Sequence, residues 1–277
     1  ATMKLSLLFL AAFMLPLGLS AHPDPSHTLE QLEEHLTKTP DDQELLRQKA
    51  DLFLSTNHPE LARPVVDRLL ALDPKKPENL LLDVRVCRAK KDTATRRKAA
   101  ELVRAHPKFA PGWLFLAHVE EDKGHRTEAI AAMHQAIDLS AKPSPTDVLT
   151  CAGWLEKRGD KTEAVAILDQ GLAKLGVLTG LHQKAIEIEV PLGHYDSALR
   201  RLDAMTARFR PSVALSLQRA DILESAGRYK EAAASCDNAL ALLDVMPAAK
   251  KSNAAWKKQV ETVSQRKAKN LVRAGAN

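Results

Sequence analysis

Along most of this chain apolar residues recur at i, i+3, i+4 and i+7, the spacing of one helix face. The stretch from Trp113 to Leu139 shows the pattern best. Trp113, Leu116, Ala117 and Glu120 mark one segment, Gly124 interrupts it, and Ala129, Met133, Ala136 and Leu139 mark a second. The glycine permits a tight reversal, so the stretch predicts a helix, a turn and an antiparallel helix.

The same skeleton returns along the chain. Small residues stand at one first-helix position as Ala50, Ala117, Ala152 and Ala220, with Val84 and Ile186 in the other two slots. Turn glycines fall at Gly124, Gly159, Gly193 and Gly227, spaced by 35, 34 and 34. A second set, Ala62, Thr95, Ala129, Ala164, Ala198 and Ala232, recurs at intervals of 33, 34, 35, 34 and 34. Such residues are needed where helix axes approach to roughly 8–10 Å and leave no room for a longer side chain. Pro74, Pro107, Pro143 and Pro211 each fall where a second helix must stop, because proline lacks a donor and clashes with the preceding turn.

This register resembles the tetratricopeptide repeat (TPR) family as a divergent array. Six units are expected, at 43–76, 77–109, 110–144, 145–178, 179–212 and 213–246, within a repeat region of 41–246. The family's aromatic on the first helix survives only as Phe53, with Glu120, Leu155, Glu189 and Leu223 at or near that place in later units. The second unit is one residue short and turns through Lys90-Lys91-Asp92. The fold class expected is all-α, and the resemblance implies a right-handed α-α superhelix. A single helix capped at Thr28 should precede the array within 22–40, after a flexible stretch at 22–27. A basic capping helix should follow within 247–277, burying Trp256, Val260 and Val263, with Leu271 extending that face, and ending at Gly275.

Composition narrows the class further. Aromatics at 4% and 11 glycines argue against sandwiches and barrels, and 45% hydrophobic content argues against disorder. Residues 1–21 open with Lys4 and a 13-residue apolar run, Leu5–Leu17, and end in small residues. That is secretory-signal architecture, too short for a spanning helix, and it predicts export to a periplasmic or secreted location. Cys87, Cys151 and Cys236 sit on apolar helix positions and read as buried thiols. The formal charge of +5 is concentrated at the end: eight basic residues stand in 248–277 against Glu261 alone, leaving the repeats slightly acidic.

Phosphate loops, nucleophile elbows, zinc-helix motifs and CxxC pairs are absent from the sequence. No catalytic residue, metal or cofactor is therefore assigned, and the expectation is a protein that is not an enzyme. The family resemblance implies a groove lined by first helices that binds a protein or peptide partner. Projected onto this sequence, its concave positions give Leu81, Leu114, Leu149 and Leu217, interrupted by Arg47 and Gln183. Beside these run Arg85, Arg88, His118, Glu121, Glu156, Glu187, Asp221 and Glu224. The first two units are basic there and the last four acidic, so an apolar ligand with a cationic stretch is expected. The family's carboxylate-clamp residues are not reproduced. A rival reading has the last helix touch anionic surfaces through Lys257, Lys258, Arg266, Lys267 and Lys269. Nucleic acid is not expected as a partner, given the export signal and the acidic groove.

Overall fold

The computed structural model describes residues 25–251 and 253–275, and among these there is no strand. The expected leader at 1–21 lies outside the described residues. The described residues divide into two compact units, one ending at Asp92 and one beginning at Thr93.

The first unit contains α1 (Pro25–Lys38), α2 (Gln43–Ser55), α3 (Pro59–Leu72) and α4 (Pro77–Ala89). Its core joins Leu46, Ala50 and Phe53 of α2 to Ala62, Val66 and Leu69 of α3 and to Leu82 and Val86 of α4. Asp42 caps α2 by accepting from the amides of Glu44 and Leu45 at 2.9 and 3.1 Å. The opening helix departs from expectation. It is already helical at Pro25, so Thr28 is not its cap and 25–27 are not a flexible lead. Proline's fixed φ suits it to a helix's first turn, and this moves the start upstream.

The second unit continues with α5 (Thr95–Ala105), α6 (Ala110–Asp122), α7 (Arg126–Leu139), α8 (Pro145–Arg158), α9 (Lys161–Leu175), α10 (Thr179–Glu189), α11 (Tyr195–Arg208), α12 (Val213–Ser225) and α13 (Tyr229–Asp244). A short α14 (Ala248–Lys251) and a long α15 (Ala254–Gly275) complete it. From α5 to α13 each helix packs on the next, and α15 lies against α13 as a further first helix would. Val263, with Trp256 and Val260 packed beside it, joins the core of the last repeats. Leu271 does not extend that face: it is 50% exposed, while Asn270 is buried at 1%. Steps from 256 through 260, 263 and 267 reach 270, not 271, on one side of a 3.6-residue helix.

One turn is used six times. Asn57, Lys91, Gly124, Gly159, Gly193 and Gly227 all have left-handed φ, between 56° and 100°. In each, the next residue's amide reaches back five residues, as in His125 to the Glu120 carbonyl at 2.9 Å and Arg228 to Leu223 at 2.8 Å. These bonds satisfy carbonyls that a helix end leaves open. Asn57 and Lys91 fill the two slots where the glycine spacing has gaps, and Lys91 carries a left-handed backbone without glycine's freedom, at a cost of about 1 kcal/mol. The registered small residues are all enclosed: Ala50, Ala62, Ala117, Ala129, Ala152, Ala164, Ala198, Ala220 and Ala232 have no exposed surface. Gly171 adds a close approach absent from the expected set, since a Cβ there would lie 2.7 Å from Val148 Cγ1.

Candidate functional site

The predicted groove residues lie on the first helices of the repeats. In the first unit Arg47 is on α2, and Leu81, Arg85 and Arg88 are on α4. Arg85 pairs with Asp51, and Arg47 bonds Glu44 at 2.8 Å and Asn79 at 3.4 Å. In the second unit Leu114, His118 and Glu121 are on α6, Leu149 and Glu156 on α8, Glu187 on α10, and Leu217, Asp221 and Glu224 on α12. All four leucines are half-buried.

The charges of this face largely meet one another. Lys184 of α10 sits 2.7 Å from Glu156 and 3.6 Å from Glu187. Its hydrogen bond to Glu156 raises its pKa against the cost of burial. Arg126 holds Glu121 at 2.7 Å and lies over the Trp154 ring, which His118 meets edge-on at 6.3 Å. Gln218 donates to Gln183 at 2.9 Å. At the far end Arg266 of α15 reaches Asp221 at 2.5 Å and Glu224 at 2.7 Å, and Asn270 donates to Glu224 at 2.6 Å. Burial works against the Glu224 charge, but Arg266 and Asn270 outweigh it and hold the carboxyl below its usual range. Lys184, Arg126, Trp154 and Asn270 were not expected at this face. Each is a basic, aromatic or amide residue on a different helix from the expected groove residue it meets, and only packing brings the two together.

The last helix is similarly engaged. Arg266 and Lys267 are ion-paired, the latter to Asp237 at 2.6 Å, whereas Lys257, Lys258 and Lys269 are exposed.

Sequence profiles described as tetratricopeptide repeat match residues 180–247 and 110–143. This is a tetratricopeptide repeat protein. Among solved structures it is similar to the C-terminal part of a TPR repeat-containing protein from Cytophaga hutchinsonii, at 12% identity over 80% of this chain and 92% of that one, with a TM-score of 0.51. It is also similar to pilF of Pseudomonas aeruginosa, at 17% identity over 71% and 91%, TM-score 0.49. Against a chain of the Cut9–Hcn1 hetero-tetramer of APC/C the identity is 14% over 91% of this chain, TM-score 0.45, and this chain spans 49% of that chain's length. No curated protein matches it by sequence.

Two units of this TPR protein replace the family's first-helix aromatic with a buried acid. Glu120 is 5% exposed and Glu189 3%. Arg96 grips Glu120 with two 2.9 Å contacts, and His125 Nδ1 lies 2.7 Å away. Glu189 is held by Arg201, which also binds Asp169. His182, 7% exposed, lines a polar cleft of about 490 Å³ with these groups and His194, and its Nδ1 has no hydrogen-bond partner. Burial, aided by Arg201 and opposed by Asp169 and Glu189, lowers the His182 pKa. Stability from a neutral His182 is therefore full above about pH 6.5 and is lost as pH falls below it. Urea titrations at pH 7.5 and 5.5 should show a larger acid loss for the native chain than for His182→Gln; equal losses would rule this out.

Cys87, Cys151 and Cys236 are buried and none is in a disulfide. Burial pushes Cys151 up to about 12, so it is inert as a nucleophile at neutral pH. Among the described residues no group of His, Cys, Asp and Glu is arranged to hold a metal.

Proposed function

We propose that this protein is an exported, non-enzymatic scaffold that holds a segment of a partner protein along the face of its first helices. TPR proteins serve generally as protein-interaction scaffolds, and one observation carries the reading here. Leu114, Leu149 and Leu217 stand at the same position of three repeats and stay half-buried after their own hairpins have packed. Apolar side chains presented at fixed spacing on a rigid frame leave most of the ordering cost to the ligand. The internal ion pairs stiffen that frame more than they advertise charge, so apolar contact dominates recognition. Export rests on the character of residues 1–21.

The test is selection of displayed random peptides on the native chain and on a Leu149→Lys/Leu217→Lys variant. Lysine keeps helix propensity and can lay its stem on the surface, so the variant should keep its fold. Peptides enriched on the native chain should bind the variant at least about tenfold more weakly. Unchanged enrichment at an unchanged melting temperature would remove the leucine face from the account.

A further inference from the structure

Beside Leu114 a cleft of about 280 Å³ opens between the start of α6, the end of α7 and the start of α8. Pro111, Leu114, Ile137 and Pro143 give it an apolar wall, and Asp147 is the one charged residue in its lining. Asp147 is half-buried, and among the described residues none hydrogen-bonds to its carboxylate or forms an ion pair with it. This sets it apart from Glu121, Glu156, Glu187, Asp221 and Glu224, each met by a cation of the chain itself. The lysine entering this corner is committed elsewhere: Lys174 Nζ donates to the carbonyls of Ile137, Asp138 and Ser140 at 2.8, 2.5 and 2.9 Å. Burial pushes the Asp147 pKa up, and the charge of His118 only partly opposes this. An acid in the first turn of α8 favours that helix's N-terminus, but such a role does not require an apolar cleft around it.

We propose that this cleft receives one basic side chain of the partner segment, a lysine or arginine, with its aliphatic stem between Leu114 and Ile137 and its cation on Asp147. The proposal rests on the scaffold reading above and sharpens it: the partner carries a basic residue at one fixed place, in exchange for the cationic stretch expected from sequence. The size agrees, since pockets for drug-sized ligands begin at about 300 Å³ and this one suits a single side chain. The chemistry agrees as well. Lysine and arginine bury their stems against apolar surface while the head stays polar, and a half-buried carboxylate with no ion-pair partner gains from receiving one.

The experiment titrates the full chain with n-butylammonium and with 1-butanol, following the methyl NMR signals of Leu114 and Ile137, and repeats both on Asp147→Asn. In the native chain butylammonium should shift both methyls saturably and bind better than butanol. Asp147→Asn should weaken the ammonium roughly tenfold, leave butanol unchanged and melt no lower than the native chain. Absence of shifts, equal binding of the two probes, or an ammonium response indifferent to Asp147→Asn would overturn the proposal. So would a lower melting temperature with unchanged ammonium binding, which would confine Asp147 to the start of α8. Displayed-peptide selection on both chains separates the two levels. Peptides enriched without a fixed basic residue would remove the cleft and leave the scaffold. Ammonium binding with no peptide enriched would remove the scaffold, and with it the partner's side chain as occupant.

Discussion

Replacing Ala129 with arginine should destabilise the protein by roughly 4–5 kcal/mol, while the same residue in place of the adjacent Glu128 should change stability by less than about 0.5 kcal/mol. Ala129 has no exposed surface. It opens the buried face of α7, where that helix presses on α6 just after the Gly124 turn. An arginine there must separate two helices or bury a cation with no acid placed to receive it, and both penalties apply together. Glu128 is exposed, so its replacement meets water. Chemical denaturation of the two variants beside the native chain measures the contrast. Similar midpoints for both would mean that helix crowding at this register does not hold the fold. Ala198 is equally enclosed in the fifth repeat, and Ala198→Arg should repeat the result.

Loss of Arg201 is expected to be nearly as damaging, about 3–5 kcal/mol for Arg201→Leu. Its side chain is 11% exposed and that of Glu189 4%. Nε and Nη2 each donate to Glu189 at 2.8 Å, and Nη1 donates to Asp169 at 2.6 Å. Burial works against the Arg201 charge, yet the hydrogen bonds to Glu189 and Asp169 outweigh it and raise its pKa. Removing the arginine leaves a desolvated carboxylate without its ion-pair partner. The second variant tests that cause. At the same repeat position Leu155 and Leu223 are buried at 0% and 3%, so Glu189→Leu with Arg201→Leu should recover most of the loss, as buried pairs replaced by apolar residues often do. A double variant no better than the single one would show that Arg201 acts by packing alone. Arg96, the partner of Glu120, is half exposed, so its replacement should cost less.

The helix-turn-helix rhythm was legible because its cause is local. Alanines spaced by 33 to 35 residues, glycines at the reversals and prolines just past the second helices each state a steric requirement that the chain carries in its own order. Even the second unit, short by one residue and lacking a turn glycine, keeps the same reversal at Lys91. Within the last helix the spacing identified Trp256, Val260 and Val263 as the packed face, and failed only where Leu271 looked more apolar than the buried Asn270. Hydrophobicity favoured the leucine; helix angle and a carboxylate waiting on α12 favoured the asparagine.

By itself, then, the sequence determined an all-helical repeat with its turns and its crowded contacts, and the family resemblance pointed to the row of first-helix leucines. Only the tertiary structure decided the electrostatics of that row, because ion pairs such as Arg266 with Asp221 join residues 45 apart in the chain, and the availability of a charge depends on what other helices bring against it. Counting acids made the face look open to a cationic stretch. Packing spends most of those acids on Arg126, Lys184 and Arg266 and leaves Asp147, in the lining of an apolar cleft, without an ion pair among the described residues.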